Sequence, residues 1–281
     1  MNIVVCVKQV PNTSEVKIDA ETNNLIREGT PSIINPYDEY AVEEALRLKE
    51  AHGGSIVAVS MGPPQAESAL QECLDMGVDK AVLLSDKSLA GSDTLATGYA
   101  LSGFIRTCAP DIVLCGLEAI DGCTGQVGPI IAENLGFTQF TYVSKLNVKD
   151  DYATVHREMK EGFEVLKCKL PVVVCVLKGI NQPRMLHKST KRVQVLKPGT
   201  IGLEEQRTGI KGSPTRVVKI NVSGKSDTSY VKIDSSLPAE ERIMAIMNGG
   251  LKVKIIALKR GAPLDMAKLI FEDEDFQALL P

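Results

Sequence analysis

Asp111-Ile-Val-Leu-Cys-Gly116-Leu-Glu118-Ala119-Ile-Asp121-Gly-Cys123-Thr124-Gly125-Gln126-Val127-Gly128-Pro129 decides how the rest of the chain is read. Its first six residues form an apolar run suited to a buried strand, and its middle is a loop of small and polar residues. Ile130 to Leu135 then reads as a helix. A strand, a small-residue loop and a helix in that order leave backbone N–H groups and the positive end of a helix dipole where an anion can sit. Phosphate is the natural guest. Thr124 and Gln126 add side-chain hydrogen bonds, while Gly122, Gly125 and Gly128 allow close approach or positive φ. The spacing is neither GxGxxG nor GxxxxGK[ST], so neither nucleotide fingerprint applies. An ordinary strand-to-helix turn accounts for the same residues.

Working outward, the flanking segments repeat the pattern. Asn2 to Lys8 is a β-branched run suited to a central parallel strand, and residues 16 to 27 alternate around a polar turn like a small hairpin. Ile33-Ile-Asn35-Pro36-Tyr37-Asp38 leads into a helix to about Glu50. Asn35 is placed as its N-cap, Pro36 at its first position and Asp38 to complete the cap. Ser55 to Met61 and Lys80 to Ser85 are further strands. A helix opening at Pro63-Pro64 follows the first, and a helix starting at Ser92-Asp93-Thr94 and bearing Leu95, Tyr99, Phe104 and Ile105 follows the second. Strands alternating with helices at these lengths predict a parallel sheet covered on both faces, with a ligand beyond the carboxyl ends of the strands. Those ends are Lys8, Met61, Ser85 and Leu117, so the loops at 35–38, 61–64, 92–97 and 118–129 can converge.

From Thr138 the runs shorten and gain polar interruptions, which predicts an antiparallel extension plus one more core strand at Pro171 to Val176. Residues 179–193 form a basic, Pro-initiated segment, read as an exposed loop or helix: either a solvated charge run or a docking surface for an acidic partner. Beyond Pro198 the apolar density falls. The tail offers a helix at Pro238 to Asn248, a strand at Leu251 to Leu258 and an acidic end, too little for a core of its own.

With 44% hydrophobic residues, 24% charged residues and a net charge of −3, the composition is globular and gives no electrostatic case for nucleic acid or an anionic membrane. The absence of Trp and an aromatic content of 4% argue against base-stacking platforms. No run approaches a membrane span and no secretory signal is visible, so a cytoplasmic location is expected. Seven scattered cysteines without a C-x-x-C pair read as reduced thiols, mostly buried, with Cys123 the accessible exception. His52, His156 and His187 match no ligand or triad spacing, and no metal site is expected.

Several motifs add up to a family. Val7-Lys8 with Pro11, Ile33 to Asp38 running into Ala41 to Lys49, Ser60-Met-Gly-Pro63, Gly116-x-x-Ala-Ile-Asp121 and Lys197-Pro-Gly together resemble the β subunit of an electron transfer flavoprotein, over most of residues 1–200. The resemblance implies a Rossmann-like, doubly wound, mostly parallel α/β sheet with an antiparallel extension and a C-terminal arm. It also implies an α subunit as partner, and an adenine nucleotide held by Cys6, Asn35 to Asp38, Met61, Gly62 and Glu118 to Pro129. The expected division is a nucleotide-binding domain at 1–197, with a docking loop at 180–196, and an arm at 198–281 packed on the α subunit.

The family has a conventional form that holds AMP here, and an electron-bifurcating form that holds a second FAD and exchanges hydride with NAD(H). Ser92-Asp-Thr94-Leu-Ala-Thr97 and Asp121 to Pro129 resemble the bifurcating form, in which the first borders the flavin and the second cradles the diphosphate. Thr94 and Thr97, three apart at a helix start, can point the same way toward ring heteroatoms. Cys123 and Gly125 depart from that pattern, standing where Asp and Ala are usual. FAD is therefore the expected cofactor, with single electrons passing to the α-subunit FAD, a flavin dehydrogenase and ferredoxin. Arg184 and Leu186 are the expected docking residues. The segment before Lys197 is short and lacks the Leu-Pro tip typical of acyl-CoA dehydrogenase docking, which points to another dehydrogenase, such as one oxidising a 2-hydroxy acid like lactate. The chemistry belongs to the flavin, so no side chain is nominated as acid, base or nucleophile. A rival of another class is an ATP-binding stress or signalling domain, or an ATP pyrophosphatase. The latter calls for an SGGxDS-like loop after the first strand, and Lys8-Gln-Val-Pro11 is not one.

Overall fold

A nine-stranded sheet forms the frame of the computed structural model, which describes residues 1–12, 17–18, 25–26, 32–215, 238 and 242–243. In chain order the strands are β1 (Asn2–Cys6), β2 (Gln9–Pro11), β3 (Lys17–Ile18), β4 (Leu25–Ile26), β5 (Ser32–Ile34), β6 (Ser55–Met61), β7 (Lys80–Leu84), β8 (Ile112–Gly116), β9 (Thr138–Lys149), β10 (Tyr152–Met159), β11 (Gly162–Lys169), β12 (Val172–Val176) and β13 (Gln194–Leu196). The helices are α1 (Pro36–His52), α2 (Glu67–Met76), α3 (Thr94–Cys108) and α4 (Val127–Leu135). The sheet order is β11-β10-β9-β12-β8-β1-β6-β7-β13. From β9 through β13 neighbouring strands run parallel, while β9, β10 and β11 pair antiparallel. This is the expected mostly parallel, doubly wound α/β fold with its antiparallel extension.

The pleat explains the layers. Along β1, Ile3 and Val5 point to one face and join Ala41, Val42, Ala45, Ala69 and Leu70 of α1 and α2. Val4 and Cys6 point to the other and join Ala100, Phe104, Ile105 and Ile131 of α3 and α4. Both faces are therefore dry, and β8 and β12 are buried along their whole length. At ~25 cal/mol per Å² of apolar surface, this two-sided burial is the dominant force holding the sheet.

Several details differ from the sequence reading. β9 joins the sheet parallel to β12 before it turns back, so the extension grows from a parallel pair. Gln9–Pro11 pairs with Ser32–Ile34 in a small antiparallel ribbon that the alternation had not disclosed. The hairpin expected at 16–27 is present where described, as β3 paired with β4. α4 starts at Val127, three residues early, because Pro129 suits the first turn of a helix. Leu95, assigned above to the apolar face of α3, is 48% exposed, since Ala96, Ala100 and Phe104 already fill that face. The basic segment contains no helix and ends in β13, an edge strand parallel to β7.

Backbone contacts divide the chain into units 1–220 and 221–281. Residues 198–215 belong to the first: Leu203 packs at Gly103, Arg207 lies 3.9 Å over the Tyr99 ring, and Glu204 N–H donates to the Tyr99 hydroxyl. The compact unit thus runs beyond residue 197. In the second unit only Pro238, Arg242 and Ile243 are described, and Arg242 N–H donates to the Pro238 carbonyl. The strand expected at 251–258 and the acidic end lie outside the described residues. Among the described residues no helix is long and apolar enough to cross a membrane.

Candidate functional site

The carboxyl ends of β1, β6, β7 and β8 open into one cleft of about 1430 Å³. It lies where the strand order reverses, since the chain winds from β1 toward β6 and β7 on one side and β8 and β12 on the other. Cys6, Met61, Gly62, Ser85 and Gly116 come from the strand ends, and the loops beyond them complete the walls.

Asn35 takes the N-cap position of α1 as expected, with Pro36 in the first turn, but its side chain and that of Asp38 brace the floor of the cleft. Asn35 makes no side-chain cap; its amide donates to the Glu118 carbonyl (2.9 Å) and its oxygen accepts from Ile120 N–H (3.1 Å). Asp38 accepts from Lys8 N–H (2.8 Å) and Gly116 N–H (3.2 Å), joining the ends of β1 and β8. Only the side-chain part of the cap reading is corrected: both side chains turn inward and pair with N–H groups of Lys8, Gly116 and Ile120 at neighbouring strand ends. Burial pushes the Asp38 carboxyl up to about 7 against the pull of those donors and of the Lys8 charge. A Cβ on Gly116 would strike Asp38, so only glycine lets β8 pass this close.

The loop after β8 is held from below by Asn35 and then turns sharply. Cys123 N–H donates to the Ala119 carbonyl, Cys123 takes φ 48° and Gly125 φ 60°. Gly128, in the first turn of α4, sits against Cys175 and Cys115, where a Cβ has no room. α4 has no side-chain cap, so its first N–H groups are left for a ligand. Gln126 spends its oxygen on the Thr94 hydroxyl (2.8 Å), tying this loop to the start of α3. α3 is capped by Asp93, whose carboxylate accepts from Leu95 N–H, Ala96 N–H, and both N–H and hydroxyl of Thr215. Although partial burial opposes it, these donors hold the Asp93 pKa below the usual carboxylate range. α3 therefore presents hydroxyls to the cleft and keeps its N-terminal donors for itself.

Cys6, Asn35, Asp38, Met61, Gly62, Thr94, Thr97, Glu118, Ala119, Thr124, Gly125, Gln126, Val127 and Gly128 all line the cleft. Asp121, Cys123 and Pro129 do not. Asp121 is engaged by Lys8, and Cys123 is exposed on the outside of its turn. Sequence reasoning missed Leu101, Thr215 and the 86–91 loop as wall, and named Lys8 only as a strand end. Lys8 and Ser85 were identifiable as strand ends; Thr215 comes from far along the chain and carries no local signal. The row Cys6, Cys115, Cys175, in register across β1, β8 and β12, lies on the cleft side of the sheet. The hydrogen bond with Cys115, and burial, push the Cys175 thiol well up, so it is no nucleophile. Among the described residues no cluster of three or more His, Cys, Asp or Glu is arranged to hold a metal ion.

The two docking residues part company. Arg184 forms a fork with Glu43 (2.9 Å to each carboxylate oxygen) and bonds Glu50 at 2.7 Å, so it is an internal anchor. Leu186 is 53% exposed, and its neighbour Met185, unremarked in the sequence, is 84% exposed.

The chain matches the electron transfer flavoprotein domain family over residues 22–200. It is 44% identical over 259 residues to the electron transfer flavoprotein subunit beta of Thermoanaerobacterium thermosaccharolyticum, covering 90% of this chain and 94% of that protein. It is 48% identical over 225 residues to the subunit beta of Clostridium acetobutylicum, covering 78% and 87%. A subunit of the caffeyl-CoA reductase-Etf complex of Acetobacterium woodii, CarD, is 43% identical over 227 residues, again covering 78% and 87%.

Proposed function

Because this chain belongs to the electron transfer flavoprotein family as a β subunit, we propose that its cleft holds FAD and that the protein is of the electron-bifurcating type. The observation that carries this is the size and reach of the cleft. At about 1430 Å³ it exceeds the ~300–1,000 Å³ of ordinary small-ligand sites, and it extends from the Asn35 brace to the threonines of α3. A cleft of that volume has room for a dinucleotide.

The residues suit such a guest. Uncapped N–H groups at Val127 and Gly128, with Thr124, Gly125 and Gln126, offer donors for a diphosphate. Asn35 and Asp38 hold the loop in place beneath it, and Cys6, Met61 and Gly62 supply wall around an adenosine. The hydroxyls of Thr94 and Thr97 stand on the wall at the α3 end, fitted to hydrogen-bond a polar ring edge. When bound, FAD would supply hydride exchange with NAD(H) and single-electron transfer toward the FAD of the α subunit, a dehydrogenase and ferredoxin.

The remaining parts of the reading follow from it. Residues 198–281, or the part of them beyond Ile220, serve as an arm toward the α subunit. The exposed Met185-Leu186 pair faces a flavin dehydrogenase in the cytoplasm. CarD, named as a subunit of a caffeyl-CoA reductase-Etf complex, is a relative associated with a reductase, which supports an oxidoreductase partner here. The short segment before Lys197 favours one oxidising a 2-hydroxy acid such as lactate over an acyl-CoA dehydrogenase. Extraction of cofactors from the complex with its α subunit tests the proposal: two FAD per heterodimer and bleaching by NADH are expected. One FAD plus one AMP would identify the conventional form instead.

A further inference from the structure

Lys8 and Asp121 form an ion pair at the cleft that neither the brace nor the loop needs for its fold. The Lys8 ammonium lies 2.7 Å from each Asp121 oxygen, and the two side chains are 48% and 33% exposed. The backbone on both sides is fixed independently. Lys8 N–H donates to Asp38, the Lys8 carbonyl accepts from Asn35 N–H, and Ile120, beside Asp121, is held by Asn35. The Lys8 side chain can therefore rotate away from Asp121 without breaking any of these backbone bonds.

The charges around it give that freedom a use. Among the described residues lining the cleft, the cations are Lys8 and Lys87, against Asp38, Asp86, Asp93 and Glu118. Lys87 sits beyond β7, in the short turn where Asp86 accepts from Ser88 N–H. Lys8 is the cation resting on the loop that carries Thr124 and Gly125. Even with Asp38 protonated the acids of the wall outnumber its cations, so an anionic ligand entering it needs a counter-charge at the phosphate, and Lys8 lines the same cleft as Thr124 and Gly125.

We propose that Lys8 binds the phosphate of the nucleotide in the cleft, and that Asp121 competes with the phosphate for this lysine. The proposal rests on the nucleotide reading of the cleft and adds to it the residue that selects for phosphate. An exposed ion pair contributes little, whereas a charge-assisted bond to phosphate in a partly enclosed cleft contributes more, so the exchange runs toward the ligand. Asp121 is thus a positioning residue that acts through Lys8, which is why it lies outside the cleft wall.

The test is binding of ADP and of adenosine to nucleotide-stripped complex, read by calorimetry over a range of salt. Lys8→Met is expected to weaken ADP about tenfold, leave adenosine unchanged and flatten the salt dependence, with Lys8→Arg restoring most of the ADP affinity. Asp121→Asn is expected to tighten ADP by about two- to fivefold, and that gain disappears in the double variant with Lys8→Met. Equal losses for ADP and adenosine in Lys8→Met would overturn the assignment of Lys8 alone. Loss of ADP affinity in Asp121→Asn as large as in Lys8→Met would show the pair to be a fixed clasp. If neither ADP nor adenosine binds the wild-type complex, the nucleotide reading falls and this proposal with it.

Discussion

Asp38 shows how a single side chain can be misjudged from its neighbours in sequence. Three positions into a helix that starts with proline, it has every local mark of a cap, yet it is buried and joins two strand ends. Removing a carboxylate from water is costly, and here it lifts the pKa from 3.8 to about 7. An acid with a higher pKa folded than unfolded binds its proton more tightly when folded. Its contribution to stability is therefore largest at low pH, falls as pH rises through the window from about 4 to about 7, and is constant above. The full swing is on the order of 4 kcal/mol. Asp38→Asn removes the titration and one acceptor. Urea unfolding of both proteins from pH 5 to 8 should show the advantage of wild type shrinking by about 2 kcal/mol or more. A difference that stays level across that range counts against this account.

At the scale of elements, the segment from Asn181 to Val193 is ordered without being helix or strand, because it is tied to the helices beneath it. Asn181 donates to the Tyr40 carbonyl and Glu44, Arg184 grips Glu43 and Glu50, and His187 and Ser189 N–H groups reach Asp75. Glu43 is 5% exposed, so this fork is worth more than a surface pair, though less than a fully buried one because the Arg184 side chain is about one-third exposed. The ties leave Met185 and Leu186 projecting between anchors. Glu43→Gln should cost roughly 1–2 kcal/mol of stability and loosen this segment first. Limited trypsin digestion is expected to cut at Lys188, Lys191 or Arg192 several-fold faster than in wild type, with far-UV dichroism unchanged. Equal cleavage rates would mean that the fork does not hold the segment.

For the whole molecule, the compact unit extends past the last strand of the sheet. Residues 203–215 contribute to the rim through Thr215 and Asp93, through Gly209 N–H on the Ser92 hydroxyl, and through Ser213 on the Asp93 N–H. Truncation after Ile220 is therefore expected to leave a folded unit that still binds nucleotide but is no longer retained by the α subunit. Truncation after Lys197 should strip the rim and lower the melting temperature by several degrees. Co-purification with tagged α subunit and thermal melts of both truncations check this. Retention of the shorter chain by the α subunit would place the partner surface within the sheet domain.

The strands, their parallel stacking and the convergence of loops at their carboxyl ends were legible in the chain because they depend on local period and on apolar runs long enough to be buried on both faces. The loop between β8 and α4 was legible for the same reason: small residues between a strand and a helix leave their mark within a short window. Three things were settled only by tertiary structure. Asn35 and Asp38 became braces, Asp121 left the wall for Lys8, and Thr215 entered it. Each depends on which groups from distant parts of the chain meet once the sheet is assembled, and a polar side chain takes the nearest unsatisfied partner in space, which sequence spacing does not specify.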